Sequence, residues 1–211
     1  MMKSQVWVLA ERIVCGFALV VLSPFLLLAA AAIVLDSGRP MLFRQLRIGR
    51  RGVPFELFKF RSMYTQSGAQ VTAGTDPRIT RVGRVMRKFK LDEFPQLWNV
   101  VRGDMELVGP RPEVPPFVAL RDPIWKAVLS VRPGITDLAS LMFRNEEELL
   151  AGAADPHNYY RQIILPQKLA LNLEYLEIRS AKTDLKLILL TILYSLLPRL
   201  NPKTLQRIVC R

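Results

Sequence analysis

Two adjacent carboxylates, Asp92 and Glu93, stand directly behind a row of cations. Arg78, Arg81, Arg84 and Arg87 recur every third position, and Lys88 and Lys90 follow. Where this stretch is helical, part of the row forms a basic stripe. Neighbouring carboxylates can share a divalent cation. A carboxylate at a helix start beside arginines stays ionised at neutral pH and is available as a nucleophile. The pair also reads as a plain helix start, with Asp92 as N-cap and Glu93 favourable in the first turn. The basic row likewise reads as a solvated or lipid-facing surface. Further along, Gly109 permits a tight turn, and Pro110 and Pro112 fix the backbone around Arg111. A guanidinium presented so rigidly suits a phosphate or a nucleotide, although a structural turn with an exposed arginine has the same pattern. Arg132, before Pro133-Gly134, repeats the arrangement.

Composition narrows the chemistry. The 211 residues carry 30 Lys+Arg against 18 Asp+Glu, a formal net charge of +12, while half of the chain is hydrophobic. Excess positive charge implies an anionic partner. Combined with high hydropathy, it favours an anionic lipid surface or a phosphorylated substrate over nucleic acid. The aromatic residues are not interleaved with the basic run as a base-stacking platform requires. His157 is the single histidine and reads as a surface or packing residue; Cys15 and Cys210 are the two cysteines. A zinc site, a Ser-His-Asp triad and a disulfide framework are therefore not expected.

The elements that must position these groups begin with an uncharged run, Ile13 to Leu35. At ~1.5 Å per residue it is long enough for the ~30 Å hydrocarbon core of a bilayer. Ser23-Pro24 interrupts it, and proline removes a helical hydrogen bond. Lys3 and Arg12 precede the run, and Arg39, Arg44, Arg47, Arg50 and Arg51 follow it. Basic flanks on both sides tend to stay cytoplasmic, which a helix bent at Pro24 that enters and leaves by one leaflet allows and a simple crossing does not. Beyond it, Met41–Ile48 and Pro54–Phe60 read as a β-hairpin around Gly49–Gly52. Gln66–Pro77 reads as a loop. Gly83–Phe89 and Phe94–Val101 read as short helices, and Glu113–Ser130 as one or two more. Asp155–Ala181 reads as a longer helix kinked at Pro166, and Glu146–Glu148 as a solvated helix face. Leu185–Leu197 is too short to span and reads as a core or interfacial helix. The expected fold class is α+β: a re-entrant membrane helix broken at Ser23-Pro24 over 1–38, then a catalytic domain over 39–211 with a small hairpin and several short and interfacial helices on the membrane face.

Taken together, these segments resemble the bacterial sugar transferases, the monotopic phosphoglycosyl transferases. The matching residues are Ser23-Pro24, Lys59-Phe60-Arg61-Ser62-Met63, Asp76 through Gly83, Leu91-Asp92-Glu93, Gln96 through Val100, Arg102 through Met105, Val108 through Pro112, and Arg132 through Thr136. The resemblance implies a ping-pong transfer of a sugar-1-phosphate from a UDP-sugar to polyprenyl (undecaprenyl) phosphate, at the cytoplasmic face of the bacterial inner membrane. Asp92 is then the nucleophile through a covalent aspartyl intermediate, and Asp92 and Glu93 hold Mg2+. Lys59, Arg61, Arg87 and Arg132 are expected near phosphates, with Arg111, Pro110 and Pro112 at the nucleotide. The rival reading is a non-catalytic basic membrane-surface protein that binds anionic lipid. Homo-oligomer formation stays open. Asp137-Leu138-Ala139-Ser140-Leu141 departs from the Gly-aromatic-Ala-Gln-Val run of many members and bears on substrate identity. The chain looks like the catalytic-domain-only form.

Overall fold

A computed structural model of the chain describes residues 5–64 and 76–196. Most of the expected loop Gln66–Pro77 lies outside the described residues, as do Cys210 and the last residue of the Leu185–Leu197 run.

Helix α1 (Gln5–Ser37) runs as one element through Pro24. In place of the expected break, Pro24 leaves one backbone hydrogen bond missing inside a continuous helix. Pro24 cannot donate to the carbonyl of Val20, four residues back. The Ser23 hydroxyl donates to that oxygen instead, at 2.7 Å, which explains why a serine precedes the proline in an apolar helix. The helix is long and apolar enough to cross a membrane by length and composition. Its buried residues fall in two places, Glu11 and Cys15 near one end and Ala30 and Ile33 near the other. The stretch between them presents Phe17, Val20, Val21, Phe25, Leu27 and Leu28 outward.

The hairpin follows as expected, with β1 (Leu42–Ile48) antiparallel to β2 (Pro54–Phe60). Arg51 and Gly52 make its turn in the left-handed region, at φ 59° and 78°. Helix α2 (Arg81–Lys88) is capped by the Thr80 hydroxyl, which accepts from Gly83 N. A 3-10 turn, Leu91–Glu93, leads to α3 (Gln96–Arg102). Asn99 is fully buried and locks α3 to β2: it accepts from Phe58 N at 3.1 Å and donates to Glu56 O at 2.7 Å.

A second sheet is absent from the sequence reading. Strand β3 (Glu106–Val108) pairs in parallel with β4 (Gly134–Thr136). The two chains touch so closely that a Cβ on Gly134 lies 2.1 Å from Gly109 N, so only glycine fits there. The expected region 113–130 contributes a 3-10 turn (Pro115–Phe117) and α4 (Pro123–Val128). Three short helices, α5 (Leu138–Met142), α6 (Glu146–Ala151) and α7 (Pro156–Tyr159), precede α8 (Leu165–Ile178). Between α7 and α8, one π-helical turn over Tyr160–Ile164 ends just before Pro166. The irregularity expected at that proline is a π turn, which lets the chain continue as helix past a residue without an N–H.

Helix α9 (Ala181–Leu196) starts a turn earlier than the apolar run. It packs Leu187 and Tyr194 onto Val108, Leu138 and Tyr175. A separate cluster behind α1 joins Cys15, Leu57, Val100 and Met105. Leu107 of β3 packs against both clusters, so β3 is the hinge between α1 and α9. The described chain is thus mixed, mainly helical with two small sheets.

Candidate active site

The two carboxylates sit on the 3-10 turn because the chain reverses at Lys90, which adopts φ 57°. That conformation is costly for a side chain with a Cβ, by about 1 kcal/mol or more, and such strain is characteristic of functional turns. Asp92 makes no capping hydrogen bond; Pro95 occupies the N-cap position of α3. Its carboxyl is 7 % exposed, and Oδ1 is buried with no hydrogen-bond partner. An unpartnered buried acceptor costs about 1–3 kcal/mol, so its persistence points to a ligand.

Glu93 is the opposite case. Arg111 grips it with both terminal nitrogens, Nη2 to Oε1 at 2.5 Å and Nη1 to Oε2 at 3.1 Å. Lys59 Nζ lies 3.4 Å from Oε1. Burial alone raises a carboxyl pKa, but Arg111 and Lys59 outweigh it and hold Glu93 well below its usual range. For Asp92 burial wins, and its pKa moves up despite Lys59, Lys90 and Arg87. The expectation that flanking arginines dominate at Asp92 is therefore corrected: Arg111 is committed to Glu93, and Arg87 reaches Glu147 at 2.5 Å. Desolvation also lowers Lys59, to about 8.

These groups line one cavity of about 960 Å3, which Lys59, Arg61, Arg87, Asp92, Glu93 and Arg111 all reach. Arg78 and Lys90 from the basic row reach it too, whereas Arg81, Arg84 and Lys88 are exposed elsewhere. Arg61 spends one guanidinium nitrogen on the end of α1, donating to Ser37 O and Gly38 O at 2.8 and 2.5 Å. Pro110 and Pro112 are buried behind Arg111 and do not line the cavity. The carbonyl of Pro110 accepts from Gly134 N at 3.1 Å, and that of Pro112 from Arg47 Nη1 at 2.9 Å. Their role is to set the arginine turn. Arg132 stands apart, 3.7 Å from Glu106 Oε1.

Several lining residues escaped the sequence reading. Glu113, Tyr160 and Lys168 form a buried knot in which Tyr160 donates to Glu113 and Lys168 lies 3.5 Å from the same carboxylate. Burial lowers a lysine pKa, but Glu113, Tyr160 and Glu146 together raise that of Lys168. Glu146 accepts from Lys168 at 3.0 Å and Glu147 from Arg87, so these two belong to the cavity wall, while Glu148 keeps the solvated position expected of it. The one available signal was the position of Glu113, directly after Pro110-Arg111-Pro112. Asp137, fully buried, accepts from Arg111 N at 3.1 Å and from Ser140 N at 2.6 Å. It ties the arginine turn to the start of α5. His157 packs against Phe117, ring centroids 5.1 Å apart, and is not among the cavity-lining residues.

Among the described residues no group of three or more His, Cys, Asp or Glu is placed to hold a metal. The arrangement offers one free, desolvated carboxylate oxygen beside an ion-paired carboxylate, facing a cation-rich cavity. Such a constellation has the chemistry to bind a polyanion and to present a carboxylate oxygen to it.

Residues 2–197 match the family model described as bacterial sugar transferase. The chain is 41 % identical over 177 residues to the UDP-glucose:undecaprenyl-phosphate glucose-1-phosphate transferase of Caulobacter vibrioides, covering 81 % of this chain and 62 % of that protein. It is 42 % identical to the undecaprenyl-phosphate glucose phosphotransferase of Komagataeibacter xylinus, over 82 % of this chain and 32 % of the relative. An N-acetylgalactosaminephosphotransferase from Aeromonas hydrophila, acting from UDP-N-acetylgalactosamine on undecaprenyl phosphate, is 44 % identical over 59 % of this chain and 31 % of its own length. The chain thus spans less than two thirds of the length of these relatives.

Proposed function

Because the chain belongs to the bacterial sugar transferase family, we propose that it moves a sugar-1-phosphate from a uridine diphosphosugar to a polyprenyl phosphate. The observation that carries this is the buried Asp92 carboxylate, with Oδ1 unpartnered, in a cavity lined by Lys59, Arg87 and Arg111. A purely lipid-binding protein has no use for a desolvated carboxylate at the bottom of its basic site.

In the first step Asp92 attacks the phosphorus that bears the sugar. One P–O bond forms, the phosphoanhydride P–O bond breaks, and its electron pair leaves with uridine monophosphate. In the second step an oxygen of the lipid phosphate attacks the same phosphorus, the bond to Asp92 breaks, and the carboxylate is regenerated. Atoms and charge balance without any further reactant. An anion approaching a diphosphate is repelled, so the cations are needed in the transition state. Burial supports the nucleophile, because a poorly solvated carboxylate has little water to shed. Glu93, kept ionised, orients Arg111 and Lys59. Asp92 and Glu93 suit Mg2+, a hard cation that takes one or two carboxylates together with water and substrate phosphates, and the bound ion would supply charge neutralisation at the diphosphate.

The proposal places the cavity on the cytoplasmic face of the membrane, with α1 re-entrant. Both ends of α1 dock on the same domain. Leu107 N donates to Glu11 at 3.4 Å, and Val82 N to Asp36 at 3.0 Å. Between Cys15 and Ala30, the stretch around Pro24 contains no buried residue.

Asp92→Asn is the decisive variant. Release of uridine monophosphate from a panel of UDP-sugars, with Mg2+ and undecaprenyl phosphate in detergent, is expected to drop by roughly a thousandfold or more. A variant that keeps near-normal release removes Asp92 as the nucleophile.

A further inference from the structure

We infer that the hydrocarbon chain of the lipid acceptor leaves the cavity across α9, lying on Ile188 and Ile192. This rests on the catalytic reading above and adds to it the route of one substrate.

The cavity is lined by two kinds of group: the ion pairs around Asp92, and apolar side chains that include Leu97, Leu107, Ile188 and Ile192. Arg144, which donates to the Tyr194 carbonyl, stands where α9 meets the cavity. A site of this kind fits an amphiphile whose anionic end meets the cations and whose tail follows the apolar wall.

The register of α9 says where the tail goes. Ile188, Thr191, Ile192 and Ser195 line the cavity at the spacing of one helical face. The hydroxyl protons on that face are engaged: Thr191 Oγ1 donates to Leu187 O and bonds Thr136 Oγ1, each at 2.7 Å, and Ser195 Oγ donates to Thr191 O at 2.9 Å. A phosphate or carbonyl acceptor seated there finds no hydroxyl donor on this face, whereas an isoprenoid needs no partner. A second face of the same helix exposes Leu185, Leu189, Ile192 and Leu193. Ile192 belongs to both, being 54 % exposed and also part of the cavity wall. The cavity therefore opens over an apolar rim onto an apolar helix face. Leu107, another wall residue, also packs against the cluster that contains Cys15 of α1.

The test uses the full chain in detergent micelles with undecaprenyl phosphate and a UDP-sugar that it turns over. Ile188→Asn and Ile192→Asn are each expected to raise the acceptor KM about tenfold or more while the donor KM moves less than twofold. An unchanged acceptor KM, or equal rises in both, overturns the route. A second measurement needs neither a variant nor turnover. Wild-type protein is photolysed with a polyprenyl phosphate carrying a diazirine on the isoprene unit next to the phosphate. Label on the peptide spanning Leu185–Leu193 supports the route, and label confined to α1 overturns it. Because photolabelling needs no chemistry at Asp92, failure of the route and failure of the catalytic reading are separately visible.

Discussion

Asp92 and Glu93 are neighbours in sequence, yet their surroundings push their acidities apart, a pattern typical of sites that assign different jobs to two carboxylates. Asp92 must be ionised to attack, and burial raises its pKa above the ordinary 3.8. The acid limb of the rate of uridine monophosphate release is therefore expected above the limb of an exposed aspartate. Lys59, lowered to about 8 by burial, loses its charge as pH rises through that value, and the rate falls with it. The profile is a bell, and Lys59→Arg moves the alkaline limb out of range. A flat profile between pH 4 and 9 contradicts both assignments. Stability follows the same signs. The depressed Glu93 contributes stability present above its unfolded value of 4.5, which is lost as pH falls through its folded pKa. The raised Asp92 works in reverse, contributing below its unfolded value and losing that contribution as pH rises through its folded pKa. Asp92→Asn is thus expected to be inactive but at least as heat-stable as wild type at pH 7, measured by thermal unfolding in detergent. A clear drop in its midpoint means the carboxylate has a partner that it needs. The sequence displays the acid pair and the turn around Arg111. It does not display which cation serves which acid, because Arg111 and Lys59 come from distant segments.

Long, periodic or strongly punctuated elements were legible: the apolar α1, the hairpin around Gly49–Gly52, and the existence of α2 and α3, whose starts lie two residues from where the sequence put them. The β3–β4 pair was not, since three residues on each strand are too few for an alternating pattern and their partners lie far apart in the chain. Nor was the role of Asp137, which differs from the glycine of many family members. Its two oxygens hold Ser140 N and Arg111 N, so it starts α5 and fixes the arginine turn at once. Asp137→Ala is expected to cost about 1–2 kcal/mol, as for loss of an N-cap. It should also lower kcat through a misplaced Arg111, whereas Asp137→Asn, which keeps an acceptor oxygen, retains most of both. In α1 the same logic applies to Ser23. Ser23→Ala leaves the Val20 carbonyl without a donor in apolar surroundings, at a cost of about 1 kcal/mol. Adding Pro24→Ala restores a backbone N–H to that carbonyl, so the double variant should recover the thermal midpoint. Equal midpoints for wild type and Ser23→Ala mean that the serine bond at Val20 contributes nothing.

At the scale of the whole molecule, the proposed membrane site must accommodate both a basic domain and a long apolar helix. The buried contacts of α1 at Cys15 and Ala30 are separated by ~22 Å along a straight helix at ~1.5 Å per residue. Were α1 to cross the bilayer upright, the domain that touches it at both places would be drawn through the hydrocarbon. The buried Glu11 would go with it, and so would the start of α2, where Val82 N donates to Asp36. That cost weighs against an upright crossing for a chain with a net charge of +12. The re-entrant path proposed for α1, dipping in near Pro24 and returning, would leave the domain on one surface and put the exposed side chains from Phe17 to Leu28 in lipid. The arrangement predicts that both flanks of α1 share a compartment. In a background with Cys15→Ser and Cys210→Ser, single cysteines are placed at Gln5 and at Arg44, both exposed. A membrane-impermeant maleimide is then added to intact cells or to inverted vesicles. Both positions are expected to label in inverted vesicles and neither in intact cells. Labelling of Gln5→Cys from outside, with Arg44→Cys protected, makes α1 a spanning helix and forces the contacts at Glu11 and Cys15 to be remade.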